Sequence, residues 1–396
     1  MATLSLNEAV NMAVGHYNGG RLPEAEALCN AILASHATEY TALIILSLVH
    51  NRTGRPQTAL ALGQRALAAR PDLHNSYVLM QQLLSEQGRA DEASLWTDRG
   101  ADLKARDTYR TRLAELDTVL GAPAPIGRDA VLGLAMRYSV EQIAPFVKSL
   151  RRTGFDGDVI LLVSEVGDDV IRFLADWGVT AEPFETYNPA GFYLALVRFF
   201  KYYEILMRGI YQKRARYDRV LLTDVRDVYF QARPFPETLE HEVCFAMENP
   251  AQIIGTCPYN RGWIQAGFGD AVFTQIKDRR VTCSGTVLGS YAGIMRYLLK
   301  MQMLAFKLNR GARRHCGIDQ GIHNYMFYLE PEPGWGPLEN GNHILTVGGQ
   351  TDLYRVDSRG EIRNLRGEVV PVVHQYDRQP ALVELVQRQM QPANAA

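Results

Sequence analysis

No stretch of the 396-residue sequence approaches a membrane-spanning apolar run. The opening MATLSLNEAV carries neither the basic nor the apolar region of a secretory signal, so a cytoplasmic location with no membrane span is expected. Cysteine is scarce. The five (Cys29, Cys244, Cys257, Cys283, Cys316) are scattered and odd in number, which excludes a disulfide framework or a zinc-type cluster and points to reduced thiols. Excess charge is lacking too: 42 basic against 43 acidic residues give a net charge of −1, which argues against a nucleic-acid partner. What is abundant is apolar side chain, 47% of the chain, enough for two or three domains with a sizeable core.

The first hundred residues repeat. Gly20-Arg21, Gly54-Arg55 and Gly88-Arg89 recur every 34 residues, and Ala25, Ala59 and Ala93 follow at one offset. Each Gly lets the chain turn between paired helices, and each Ala stands where the partner helix approaches closely. The segments GGRLPEA, TGRPQTA and QGRADEA, with Leu43, Leu46 and His50 before Ala66 and Pro71, resemble tetratricopeptide repeats. The opening helix is degenerate, with Ala9, Met12 and His16 where larger residues are usual. Residues 101–120 read as one more amphipathic helix, with Leu103, Leu113, Leu116 and Leu120 on its apolar face, capping a helical domain over 1–120. A Pro- and Gly-containing linker over 121–128 follows.

From Asp129 the pattern alternates. Strands are expected at Ala130 to Ala135, Val159 to Val163 and Thr180 to Phe184, with helices at Val140 to Arg151, Asp168 to Trp177 and Gly191 to Met207. Alternation of this kind implies a mostly parallel sheet with right-handed crossovers, in a domain over 129–390. No Gly-x-Gly-x-x-Gly follows the first strand, against a dinucleotide-binding Rossmann domain. Further on, Cys244 to Met247 suggests a strand and Val281 to Gly289 a strand broken at Ser284-Gly285. Helices follow at Tyr291 to Leu308 and from the segment His315 to Tyr325, with Asp319 and Gln320 in or near its first turn. An extended run from Val369 to Tyr376 comes next, and the tail beyond Gln391 is expected to fray.

The chain's focus is the segment Arg219 to Phe235. Val220, Leu221 and Leu222 read as a buried strand, and Asp224, Arg226 and Asp227 stand just past its end, where open α/β sheets bind ligands. Two carboxylates there suit a hard divalent cation holding a diphosphate, or else form a solvated turn with Arg226 paired to one of them.

Five features in order over 129 to 380 resemble a GT-A-type glycosyltransferase, the nucleotide-diphospho-sugar transferase fold of glycogenin and the lipopolysaccharide galactosyltransferases. They are Tyr193 to Phe199 with Arg198, the acidic strand end followed by Arg233-Pro234-Phe235, Cys283-Ser284-Gly285, Asp319-Gln320 with Asn324, and His374. The family's acids stand as Asp-x-Asp, whereas here they read Asp224-Val-Arg-Asp227, so Asp227 matches the second Asp and Asp224 is one residue out of step. The resemblance implies a retaining, metal-dependent transfer of a hexose from a UDP-sugar to a hydroxyl on a glycan or protein. Mn²⁺ or Mg²⁺ would be gripped by Asp227 and His374, with Asp224 on the metal, on a metal-bound water or on the ribose. A nitrogen ligand favours Mn²⁺. Arg198, Arg226, Ser284 and Gly285 would lie on the donor side, Asp319 and Gln320 at the reacting sugar, and Tyr138 against the nucleobase.

Each residue also has a plainer reading: Asp319 as a helix N-cap, Ser284-Gly285 as a turn, His374 as a strand-end histidine. His315, His323 and His343 share no ligand spacing and read as ordinary helix and loop residues. Trp263, Trp335 and the Glu330–Gly336 loop are candidates for an acceptor-sugar platform or for packing. The repeats imply a peptide or protein partner on their concave face. Two rivals stand beside the enzyme: an adaptor on a degenerate transferase fold, favoured by the displaced Asp224, and a sugar nucleotidyltransferase. The latter would need a Gly-rich basic loop after the first strand, and none is there.

Overall fold

A computed structural model describes residues 5–70, 73–121, 124–185, 191–213, 215–309 and 311–391. Pro71, the side chain of Leu103 and the tail after Gln391 lie outside the described residues. The chain divides into two compact units, Met1–Arg112 and Leu113–Ala396.

The first unit is three helix pairs: α1 (Leu6–Asn18) with α2 (Leu22–Ser35), α3 (Tyr40–Arg52) with α4 (Pro56–Ala69), and α5 (His74–Glu86) with the start of α6 (Ala90–Leu120). A capping box starts α1, where the Ser5 hydroxyl accepts from the Glu8 N–H at 3.3 Å and the Glu8 carboxylate accepts from the Ser5 N–H at 2.8 Å. One turn is used three times. Gly20, Gly54 and Gly88 sit at φ +73°, +74° and +74°, a region that costs any side-chain-bearing residue. The N–H of Arg21, Arg55 and Arg89 then reaches back to the carbonyls of His16, His50 and Leu84 at 2.9, 2.8 and 2.9 Å. Ala25, Ala59 and Ala93 are buried, as the 34-residue period requires.

The expected separate capping helix is instead the far end of α6, which runs unbroken from Ala90 to Leu120. The segment holds no Pro, and a single glycine, Gly100, weakens a helix by only about 1 kcal/mol without stopping it. Its last turns belong to the second unit: Leu116 and Leu120 are buried, and Asp117 accepts from Arg296 at 3.0 Å. Within the expected linker, β1 (Ala124–Pro125) pairs with β5 (Ala215–Arg216), so that stretch is partly tied down.

In chain order the second unit continues with β2 (Ala130–Met136), α7 (Val140–Arg152), β3 (Asp158–Ser164), α8 (Asp168–Asp176), β4 (Thr180–Pro183), α9 (Leu194–Lys213), β6 (Arg219–Thr223), β7 (Val228–Phe230) and β8 (Val243–Met247). Next come α10 (Pro258–Phe268), α11 (Asp270–Ile276), β9 (Thr282–Ser290), α12 (Tyr291–Lys307), α13 (Ile318–Leu329) and β10 (Trp335–Leu338). The end is β11 (Ile344–Thr346), the small antiparallel pair β12 (Arg355–Val356) and β13 (Ile362–Arg363), β14 (Val372–His374) and α14 (Pro380–Met390).

The main sheet has seven strands in the order β10-β8-β9-β6-β2-β3-β4, parallel except for β9. Val220, Leu221 and Leu222 fill its middle, as the apolar run predicts; burying each aliphatic side chain stabilises the fold by roughly 1.5–3 kcal/mol. The expected break at Ser284-Gly285 is absent: β9 runs through both residues, and the irregularity falls on its partner β8 between Phe245 and Met247. A second sheet, β11-β14-β7, stands apart from the first. There His374 pairs with Val228 on one side and Thr346 on the other, which fixes where the far end of the chain returns.

Candidate metal centre

The β6 strand ends at Thr223, and the chain leaves the sheet through Asp224 to Asp227 before entering β7. The β14 register sets His374 opposite Val228, the residue after Asp227, and the Gln375 N–H donates to the Asp227 carbonyl at 2.7 Å. Asp224, Asp227 and His374 thereby converge, each offering a ligand atom within 4.8 Å of the others. His374 Nε2 lies 3.5 Å from Asp224 Oδ2 and 3.8 Å from Asp227 Oδ2. Its Nδ1 faces Thr346 Oγ1 at 3.4 Å and Cys283 Sγ at 3.6 Å, which turns Nε2 toward the acids. That nitrogen is buried and has no hydrogen-bond partner among the described residues. An orphaned imidazole nitrogen facing two carboxylates is a donor set that suits a divalent cation. The residues fit such an ion.

The cradle leaves no room for a side chain at Gly285. A Cβ there would stand 2.6 Å from Asp224 Oδ2 and 2.6 Å from His374 Cε1, and the Gly285 carbonyl accepts from the Asp224 N–H at 2.7 Å. Glycine is thus required beside the acids themselves.

Arg198, reaching in from α9, is the buried counter-charge. Its two terminal nitrogens are taken by Asp224 and by Asp319, the latter at 3.3 Å. Burial alone would raise Asp224, yet Arg198 and His374 outweigh it and hold this carboxyl well below the usual carboxylate range. Burial pushes Asp227 and Asp319 up. Burial also opposes charge on His374, but Cys283, Asp227 and Asp224 overcome it and raise its proton affinity.

The other expected residues line one cavity of about 800 Å³ with these: Tyr138, Arg226, Ser284, Gly285, Asp319 and Gln320. Several differ in detail from expectation. Arg226 does not hold Asp224; it is half-exposed and donates to Asp377 at 3.0 Å, and Arg198 takes the inner place because its α9 position is buried. Asp319 is no N-cap. Gly317 caps α13, and the Asp319 carboxylate accepts from Ser284 Oγ at 3.3 Å. The Gln320 amide is spent on β9, accepting from the Ser284 N–H at 2.7 Å and donating to the Thr282 carbonyl, while Asn324 accepts from the Thr282 N–H at 3.0 Å. Ser284-Gly285 is therefore a strand clamped from α13, not a turn.

Trp335 is packing: its ring centroid stands 5.3 and 6.0 Å from those of Phe245 and Tyr297, whereas Trp263 lines the cavity. Buried His323 bonds Tyr297 Oη at 2.9 Å, and His343 meets the Pro234 carbonyl at 2.8 Å, so neither joins the acids. All five cysteines are free. Several lining residues escaped sequence reasoning, among them the charged Glu248 and Arg378. Glu248 follows β8, and burial raises its pKa. Arg378, four positions beyond His374, makes no ion pair among the described residues; a basic residue so close behind the histidine was the available signal.

No protein-family model matches the chain, and no curated protein matches it. Among solved structures it is similar to a mutant of MamA, at 17% identity over 26% of this chain and 74% of that one, with a TM-score of 0.24. It is similar to MamA itself at 14% identity over 26% of this chain and 61% of that one, with a TM-score of 0.25. A mutant of the Thermobaculum terrenum O-GlcNAc transferase matches at 13% identity over 52% of this chain and 45% of that one, with a TM-score of 0.24. The chain thus spans under half the length of that transferase, and at these TM-scores none of the likenesses carries an argument about chemistry. No helix among the described residues is long and apolar enough to cross a membrane.

Proposed function

We propose that the second unit is a GT-A-type glycosyltransferase that moves a hexose from a UDP-sugar to a hydroxyl acceptor with retention, and that the repeats recruit a protein or glycan acceptor. One observation carries this reading: Asp224, Asp227 and buried His374 face one another at the carboxyl end of a mostly parallel sheet, with His374 Nε2 lacking a hydrogen-bond partner among the described residues. Asp224 stands beside the other two despite its displaced position in sequence, which supports the enzyme over a non-catalytic adaptor.

These three side chains would hold Mn²⁺, which supplies Lewis-acid neutralisation of the departing diphosphate. Arg378 would add a fixed positive charge on the same wall, and Tyr138, just past β2, would stack on the uracil. Arg198 keeps Asp224 ionised and aligned with Asp319. The Ser284-Gly285 backbone, held by Gln320, would run beneath the donor sugar. Breaking the anomeric C–O bond leaves positive character on the sugar and negative charge on the phosphate; a leaving-phosphate oxygen would accept the acceptor hydroxyl's proton, giving attack on the same face. Calorimetry tests the reading. UDP should bind in the presence of Mn²⁺ and not after chelation, and a panel of UDP-sugars should reveal one that is hydrolysed slowly. Metal-independent UDP binding, or none, defeats it.

A further inference from the structure

The cavity is also lined by an aromatic pair to which the donor reading assigns no role. Tyr259 and Trp263 lie four residues apart on α10, with ring centroids 6.0 Å apart and planes tilted by 32°. Both line the cavity. Tyr259 is 70% exposed, more than packing alone accounts for. Trp263 is fixed: a Cβ on Gly317 would stand 2.2 Å from its ring, and one on Gly321 3.0 Å from its Cβ. The indole is therefore wedged over the start of α13, the helix that carries Asp319.

Strand order separates the polar residues beyond β8 from the nucleobase side. Tyr138 follows β2, whereas Glu248, Asn249 and Gln252 follow β8, and β6 with its acids runs between them in the sheet. A pair of aromatic rings in a cavity also lined by carboxylate and amide groups suits a pyranose ring, which offers C–H bonds on one face and hydroxyls around its edge. We infer that Tyr259 and Trp263 seat a hexopyranoside acceptor, with its hydroxyl edge toward Glu248, Asn249 and Gln252. The inference rests on the glycosyltransferase reading for the direction of transfer, and the seat itself can be tested without turnover.

The full chain, with and without Mn²⁺ and UDP, is titrated with methyl α- and β-hexopyranosides, maltose, lactose and cellobiose while tryptophan fluorescence and calorimetric heat are followed. At least one saccharide should bind and perturb the fluorescence. Tyr259→Ala should weaken that binding about tenfold, and Trp263→Phe, which keeps a ring against Gly317, should retain binding but lose the fluorescence change. No binding by any member of the set, or equal binding by Tyr259→Ala, overturns the seat. Mn²⁺-dependent UDP binding on the same samples separates the two ideas: its presence without saccharide binding sinks only the seat, and its absence with saccharide binding sinks only the donor site.

Discussion

In the helical unit, the residues that shape the chain lie within one repeat of each other. Gly54 turns α3 into α4, Ala59 lies buried a few positions later, and the same arrangement recurs 34 residues away on either side. In the α/β unit the residues that meet are remote: Asp227 and His374 approach within 3.8 Å only because β14 pairs with β7. The first unit stores its instructions locally and repeats them, so a damaged turn harms a neighbourhood. The second stores its site in a register, so one misplaced strand would scatter it.

The contrast is sharpest at the acids. Asp227→Ala or His374→Asn should reduce Mn²⁺-dependent UDP binding by about a hundredfold, read by calorimetry, with the circular dichroism of the helical repeats unchanged. Retained binding in either variant would break the idea that the register builds the site. Gly285→Ala comes next. Its Cβ would press on Asp224 and His374, so metal affinity should fall about tenfold and the fold lose roughly 1–3 kcal/mol, measured by metal titration and urea unfolding. Gly54→Ala probes the other side. Its Cβ would meet nothing within 4 Å, so the cost is that of φ +74° alone, about 1–2 kcal/mol in urea unfolding, with UDP affinity untouched.

The smallest effect is one of pH. Burial pushes His323 down to about 3, so on acidification the unfolded chain takes up a proton that the folded chain refuses. A group whose folded value is depressed loses stability as pH falls below its ordinary value, here about 1 kcal/mol between pH 6 and pH 5. His323→Gln should flatten that slope in urea melts; an unchanged slope would place the titration elsewhere.

The same contrast explains what could be read beforehand. The 34-residue period, the buried strands of the sheet centre and the long helices all announce themselves by periodicity. The acids and His374 stood out because charges at strand ends are chemically conspicuous, and Gly285 through the family resemblance of Cys283-Ser284-Gly285. β14 lies within the expected extended run Val369 to Tyr376, but three-residue strands such as β7 and β11 hold too few residues to show any period, so the pairing that brings residue 374 home was invisible. Ion-pair partners were equally hidden. Arg226 is the nearer arginine in sequence, but Arg198 is the one that reaches Asp224. Likewise Gln320 looked free to face a sugar, and its amide is instead engaged with the β9 backbone.

Sequence by itself determined the elements and their types: three helix pairs, a strand-and-helix alternation, and two acids placed just past a buried strand. These follow from local sterics and from the spacing of apolar side chains, which act over a few residues. Tertiary structure alone decided the convergence of Asp224, Asp227 and His374, the choice of Arg198 as their counter-charge, and the gathering of Tyr259, Trp263 and Tyr138 into one cavity. Those depend on hydrogen-bond register between segments far apart in the chain, and no local pattern records which strand a given strand will meet.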